Sequence, residues 1–329
     1  MLSLPIMPRL TRRRPRVVVI AGPTAAGKTA AGIRLARAAG AEILSADSVQ
    51  VYRGLDVGSA KPSLEERRQV PHHMIDVAAP DETMSAASFA DMARARARDV
   101  LNRGRRLLVV GGTGLYIRAL VEGLIQVPEA DRSVRRKLRE YERIQGPGSL
   151  HQRLAEVDPR TAHRLHPSDL VRIIRALEVW ELTGIPISEH QARQVHAPFF
   201  EARYVGLDPG KEALSQRIEA RVQDMFAHGL IEETQALLAE GYDPLLKSLQ
   251  SPGYKQTIAF LQHKISLELA MEQTIRAHRR YARRQRVWFR SIETMTWYQT
   301  SEDIPYDALC AWLEETGPNQ DAFDKPRSP

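Results

Sequence analysis

The sequence predicts an α/β fold: a doubly wound parallel sheet with an inserted all-helical subdomain. Three observations carry this expectation. The β-branched run Val17-Val18-Val19-Ile20 reads as a buried strand and gives way, through a glycine-containing turn, to an Ala-rich helical segment from Thr29 to Ala39. Two further apolar stretches, 42–45 and 106–110, end in a polar and a glycine-rich loop, with helical sequence between them. From about Gln126 to residue 200 the strand pattern stops and charged, helix-forming sequence takes over. Alternating strands and helices build a doubly wound sheet, and the strandless stretch is the insertion.

The turn after the first strand is Gly22-Pro23-Thr24-Ala25-Ala26-Gly27-Lys28-Thr29. Placed between a strand and a helix it is a phosphate-binding loop, which makes the core P-loop NTPase-like. The glycines let consecutive backbone N–H groups face inward, Lys28 reaches the terminal phosphates, and the Thr29 hydroxyl is suited to a bound Mg²⁺. The second strand, Glu42 to Ser45, runs straight into Ala46-Asp47-Ser48-Val49-Gln50. In open parallel sheets ligands sit beyond the carboxyl ends of the strands, so Asp47 shares the rim with the phosphate loop and is a site candidate. Between this strand and the next, Ser85 to Asn102 reads as a helix with Ser85 as its N-cap. The strand at 106–110 closes in Gly111-Gly112-Thr113-Gly114, a second glycine-rich turn on the same rim.

Beyond it, helices are expected over 131–145, 149–156, 158–166 and 168–183, then a strand at 202–207 that rejoins the sheet. Helices at 210–228, 231–240 and 267–290, a strand at 295–298 and a helix at 306–315 follow. The expected organisation is a disordered basic leader over 1–16, a core over 17–125, the helical insertion over 126–200, a second core part over 201–316 and a disordered tail over 317–329.

Composition narrows the function classes. The 329-residue chain, 43% hydrophobic and 26% charged, has no stretch long and apolar enough for a membrane span, so a cytoplasmic protein is expected. A single cysteine, Cys310, rules out an internal disulfide and a cysteine zinc site. No Asp-Asp pair offers the magnesium clamp of an aspartate-rich isoprenoid synthase, and the strand at 106–110 ends in Gly-Gly-Thr rather than in the Asp of a switch GTPase. The net charge of +7 has one concentrated source: IRAHRRYARRQRVWFR at 275–290 carries seven arginines and no acid, with Tyr281, Trp288 and Phe289 interleaved. The aromatics fall at helical spacing for a core face, while unbalanced guanidinium groups point to a polyanion. Arg217 and Arg221 stand one turn apart in QRIEARVQDM at 216–225, so both can face one ligand. Residue chemistry alone reaches a diphosphate and a polyanion.

Taken together, the motifs resemble the tRNA dimethylallyltransferases. The resemblance rests on GPTAAGKT at 22–29, SADSVQVYRGLDVGSAKP at 45–62, PHHMID at 71–76 and GGTGLYIRAL at 111–120. It continues through RIIRALEV at 172–179, QRIEARVQDM, GLIEE at 229–233, GYKQ at 253–256 and YARRQRVWFR at 281–290. It implies transfer of a dimethylallyl group from dimethylallyl diphosphate to the exocyclic amine of the adenosine 3′-adjacent to the anticodon, with Mg²⁺ as cofactor. The implied partner is the tRNA anticodon stem-loop, and a monomer is expected. By the same resemblance Asp47 is the general base, Thr24 lies beside the reacting phosphate, Lys28 and either Arg217 or Arg221 meet the diphosphate, and residues 22–29 cradle it. The implied tRNA contacts are Asp47, Ser48, Val49, Gln50, Thr113, Arg135, Val171, Arg172, Ile173, Ile174, Arg175, Gly253, Tyr254 and Lys255. On the arginine-rich helix they are His278, Arg279, Arg280, Tyr281, Arg283, Arg284 and Gln285. Asp47 could instead cap a helix or support the metal from behind its direct ligands, and either arginine could sit in a surface ion pair.

One block departs from the family pattern. Where relatives have an Arg-Cys-x-Gly-Tyr-Arg-like sequence, this chain reads Gln250-Ser251-Pro252-Gly253-Tyr254-Lys255. Competing readings are a P-loop small-molecule or nucleotide kinase, which leaves the arginine run unexplained, and prenyl transfer to free adenine nucleotides, which has no use for the insertion. A non-catalytic RNA-binding module has no use for a base beside a phosphate loop.

Overall fold

A computed structural model describes residues 14–193 and 198–315. The core opens with β1 (Arg16–Ala21), α1 (Lys28–Ala39), β2 (Ala41–Ser45), α2 (Leu64–Gln69), β3 (His72–His73), α3 (Ala86–Asn102), β4 (Arg106–Gly111) and α4 (Gly114–Val121). Five helices follow: α5 (Arg132–Gln145), α6 (Ser149–Val157), α7 (Pro159–Arg164), α8 (Leu170–Thr183) and α9 (Ile187–Arg193). The core resumes with β5 (Glu201–Leu207), α10 (Lys211–Ala227), α11 (Leu230–Ala239), α12 (Tyr254–Leu261), α13 (Leu267–Arg290), β6 (Met295–Tyr298) and α14 (Tyr306–Glu314).

All strands pair in parallel, in the order β3-β2-β4-β1-β5-β6. The doubly wound expectation holds. Successive side chains of β1 point to opposite faces: Val17 and Val19 pack with Phe89, Tyr116 and Phe289, while Val18 and Ile20 pack with Leu35, Leu309 and Trp312. Both faces are covered by helices, which is why β1 and β4 read as unbroken apolar runs rather than alternating ones. Because β2, β4 and β1 are adjacent, the loops leaving their carboxyl ends lie side by side. Those are the loop carrying Asp47, the Gly112-Thr113 turn and the phosphate loop.

The differences from expectation have local causes. α3 begins as read, with the Ser85 hydroxyl accepting from Ser88 N–H. The short strand β3 and helices α2, α4, α9 and α12 were not expected. Helix α4 starts at a glycine with no side-chain cap and α12 follows Gly253, so both look like turns in sequence. The leader expected over 1–16 overlaps the sheet, since Arg16 opens β1; the rest of it up to residue 13, and the expected tail, lie outside the described residues. Among the described residues no helix is long and apolar enough to cross a membrane.

The chain divides into two compact units, one up to Glu122 and from Pro198 onward, the other Gly123–Ala197. The second holds α5 to α9 around its own apolar centre, including Leu138, Leu150, Leu154, Ile173 and Leu177. At its centre Glu178, fully buried, accepts from Asp131 N–H at 2.8 Å, from Arg135 Nε at 2.7 Å and Nη2 at 2.9 Å, and from Arg175 Nη1 at 2.6 Å. Burial alone would raise the Glu178 carboxyl; the Arg135, Arg175 and Asp131 hydrogen bonds outweigh it and hold it below the usual range.

Candidate active site

The phosphate loop is shaped by close approach and by left-handed backbone. Gly22 has φ 150°, and a Cβ there would lie 2.3 Å from the Leu207 carbonyl oxygen at the end of β5. No other residue fits that crossing. At the far end Gly27, φ 93°, hands the chain to α1. Lys28 arches back over the loop and donates from Nζ to the Pro23 carbonyl at 2.7 Å. Burial, reinforced by the Arg221 charge and opposed by Asp47, pushes its ammonium down to about 8.

Two loops and one helix are joined here by a single amide. Gln285 Oε1 accepts from Thr24 N–H at 2.8 Å and its Nε2 donates to the Gly112 carbonyl at 2.9 Å. A Cβ on Gly112 would stand 2.3 Å from that Nε2, so the Gly-Gly-Thr-Gly turn owes its second glycine to this bridge. Gln285 was expected to contact tRNA. Its 5% exposure and both internal hydrogen bonds make it a positioning residue instead.

Asp47 is held by its own turn: Oδ1 accepts from Val49 N–H at 2.8 Å and Gln50 N–H at 3.3 Å. No helix follows Asp47, so the helix-cap alternative is not realised; one oxygen closes a turn, while Oδ2 takes no hydrogen bond from the described residues. Ser48 N–H donates to Thr113 Oγ1 at 3.0 Å. Gln50 accepts from Ser45 Oγ at 2.9 Å and donates to the Ala60 carbonyl at 3.1 Å, which ties this turn to the 57–61 loop.

Opposite these turns, α10 delivers Arg221. Its Nη1 donates to Thr24 Oγ1 at 3.3 Å and Nη2 to the Ser59 carbonyl at 3.5 Å, but the buried Nε has no partner among the described residues. Burial lowers its pKa and Asp47 opposes the shift without forming an ion pair. A half-buried guanidinium with an unused donor and no acid bonded to it is suited to an incoming anion. Arg217, one turn earlier, is exposed and does not line the cleft, so of the two arginines Arg221 is the one that faces it. The cleft has a volume of about 340 Å³ and is bounded by Thr24, Lys28, Thr29, Asp47, Arg221 and His278, with Val49, Gln50 and Tyr281 among its other walls.

The residues expected to contact tRNA differ in exposure. Ile173 and Ile174 are buried in the helical unit, whereas Val171 and Arg172 are exposed. Arg135 and Arg175 are engaged by Glu178. Gly253 and Tyr254 are buried, and the Tyr254 hydroxyl donates to Glu233 at 2.5 Å; Lys255 is exposed. At the departing block Gln250 turns its side chain to the Pro244 carbonyl at 2.8 Å. The arginine run is less unbalanced than its sequence reads, because acids outside the run pair with four of its arginines. Arg276 pairs with Glu272, Arg279 with Glu219 at 3.0 Å, and Arg286 and Arg290 with Asp208 at 2.7 and 3.7 Å. Arg280, Arg283 and Arg284 are exposed with no acidic partner among the described residues.

Two supporting residues escaped sequence reasoning. Glu233 accepts from the N–H groups of Asp56, Val57 and Gly58 at 2.9, 2.8 and 3.2 Å, capping the loop that lines one wall. Lys61, its side chain 2% exposed, donates to Asp76 Oδ1 and the Tyr52 carbonyl, both at 2.6 Å, and to Asp56. Both sit inside quoted motifs, GLIEE and GSAKP, but no periodicity reveals a partner far along the chain. For a metal, the described residues contain no cluster of three or more His, Cys, Asp or Glu. The lining offers the Thr29 hydroxyl, which suits a Mg²⁺ that takes most of its oxygens from substrate phosphates and water.

The family described as IPP transferase matches residues 50–292. The tRNA dimethylallyltransferase 2 of Geotalea uraniireducens is 46% identical over 290 residues, covering 88% of this chain and 94% of that protein. The tRNA dimethylallyltransferase of Geobacter metallireducens is 46% identical over 287 residues, covering 87% and 93%. Among solved structures, the tRNA isopentenylpyrophosphate transferase of Bacillus halodurans superposes with a TM-score of 0.66 at 36% identity, covering 92% of this chain and 98% of its own. A eukaryotic dimethylallyltransferase acting on tRNA gives a TM-score of 0.73 at 29% identity, covering 87% and 74%. With a phosphate cradle, an unpaired cation and a positioned carboxylate on one rim, and with this similarity along most of its length, the chain belongs to the IPP transferase family.

Proposed function

We propose that the protein is a tRNA dimethylallyltransferase: it moves a dimethylallyl group from dimethylallyl diphosphate to the exocyclic amine of the adenosine 3′-adjacent to the anticodon. The observation that carries this is the single cleft in which Lys28 and Arg221 face Asp47. In the reaction the bond between the prenyl carbon and the diphosphate oxygen breaks while a bond from the adenine nitrogen to that carbon forms. The diphosphate leaves with the electron pair, and the proton on the nitrogen passes to Asp47.

Each residue's part follows from its surroundings. Lys28, Arg221 and the backbone N–H groups of the phosphate loop hold charge that grows on the leaving diphosphate, where low dielectric strengthens every such contact. The Thr29 hydroxyl would hold Mg²⁺, which would supply further charge neutralisation on the leaving diphosphate. The Val49 and Gln50 N–H groups fix one Asp47 oxygen, which leaves the other to take the proton. The adenosine must leave its stack to enter the cleft, a cost smallest in a single-stranded loop. Tyr281, Val49 and Gln50 provide walls for the base, while Arg280, Arg283 and Arg284 are free to meet phosphates. Val171 and Arg172 are the candidates for RNA contact on the helical unit.

The test incubates protein with Mg²⁺, labelled dimethylallyl diphosphate and an unmodified anticodon stem-loop bearing that adenosine, with AMP and an Asp47→Ala variant in parallel. Label in the stem-loop, lost in the variant, is expected. Label only in AMP, or ATP turnover without label transfer, would overturn the reading.

A further inference from the structure

The cleft contains one polar side chain that nothing among the described residues satisfies. His278, on α13, is 7% exposed, yet neither ring nitrogen has a hydrogen-bond partner among the described residues. Buried polar atoms are almost always paired, so an imidazole with both nitrogens idle is either a destabilising defect or a group waiting for a ligand. Its position favours the second: it lines the cleft, as does Arg221, whose own buried Nε is idle. Two neighbouring residues with unsatisfied groups that line one cavity share a requirement.

The chemistry of that requirement can be read off. Burial, together with the Arg221 charge, pushes the His278 imidazolium down to about 4, so near neutral pH the ring is uncharged and presents one N–H donor and one acceptor. Arg221 contributes only donors. A ligand that satisfies the two residues together must therefore offer acceptors on the side they share, and the cation beside them selects an anion. An adenine edge offers acceptors but no charge to meet the guanidinium; a diphosphate offers both.

We propose that His278 is a diphosphate-binding residue, donating from one ring nitrogen to an oxygen of the same anion that Arg221 holds. This moves it from the tRNA contacts the family resemblance implies to the leaving-group side of the cleft. It rests on the reading of the cleft as a diphosphate site but not on the identity of the prenyl acceptor.

The test measures binding of inorganic pyrophosphate with Mg²⁺ to the full chain and to its His278→Leu and His278→Asn variants, with stem-loop RNA binding measured beside it. His278→Leu is expected to weaken pyrophosphate roughly ten- to a hundredfold, the loss of one hydrogen bond to a charged group. His278→Asn, which keeps an N–H donor, is expected to lose less, and stem-loop affinity to stay within about twofold. On the unsubstituted protein, nitrogen-15 spectra should show one imidazole N–H resonance, absent from His278→Asn, that shifts on adding pyrophosphate; this reading stands even if a variant fails to fold. Unchanged pyrophosphate affinity in His278→Leu, an unmoved resonance, or loss confined to RNA binding would each overturn the proposal. Failure of the unsubstituted protein to bind pyrophosphate would overturn the diphosphate site as well.

Discussion

Arg135 and Arg175 in the helical unit and Arg221 in the core all lie beside carboxylates, and their situations are opposite. The first two converge on Glu178, whose oxygens accept from both guanidiniums and from a backbone N–H. Arg221 is electrostatically near Asp47 but hydrogen-bonds only to a hydroxyl and a carbonyl, and keeps one donor unused. A satisfied buried ion cluster fixes structure. An unsatisfied one stores binding capacity that the fold itself does not consume. Resemblance alone placed arginines of both kinds in the site; hydrogen-bond accounting separates them.

The sharpest way to break this comparison is at the carboxylate facing the cradle. Asp47→Asn keeps an acceptor for the Val49 and Gln50 N–H groups but cannot take a proton, and single-turnover prenyl transfer should fall about a thousandfold with pyrophosphate affinity retained. A rate within tenfold of the parent would reduce Asp47 to a turn-former. Arg221→Gln should lower the transfer rate about a hundredfold, without lowering the melting temperature, because the cation removed has no acid bonded to it. Glu178→Gln should do the reverse, costing about 3 kcal/mol of stability in denaturant titration while the folded fraction stays active, since two cations lose their shared counter-charge. If the two variants exchanged phenotypes, the distinction drawn from hydrogen bonding would be wrong.

A smaller effect reads Lys28 through pH. Its lowered pKa means that the free protein keeps the cation below about 8 and loses it as pH rises through that value. Pyrophosphate affinity should therefore be flat below pH 7 and weaken above 8, by up to about tenfold per unit, while Lys28→Met shows no such bend. The smallest effect separates paired from unpaired arginines on α13. Arg283→Gln should weaken stem-loop binding and reduce the salt slope by about 1, whereas Arg279→Gln, already tied to Glu219, should change it less.

How much of this could be read from the residues depends on sequence distance. The sheet was legible because its central strands are continuous apolar runs and each motif loop follows one directly. The phosphate loop and Asp47 were legible for the same reason. Helix α4 was not, since Gly114 and the absence of a cap hide its start, and the two-residue β3 carries no period at all. In the site, Gln285 and Tyr254 look like surface residues of basic or glycine-rich motifs and turn out to be internal. Their partners, Thr24 with Gly112 and Glu233, are brought by the fold from far along the chain, and no local pattern announces them. The same distance effect hid Asp208 and Glu219, which neutralise arginines that seemed unopposed.

Helix α13 places His278, Tyr281 and Gln285 on the cleft while Arg279, Arg283 and Arg286 lie along another groove. Its two jobs are therefore written in one phase. Removing a single residue between 279 and 284 would rotate everything beyond it by about 100°, taking Gln285 away from both loops and turning the outward cations inward in the same stroke. Point substitutions can tune either job separately, but a change of length cannot, so the spacing of this helix is expected to resist insertion and deletion more strongly than any one of its side chains resists replacement.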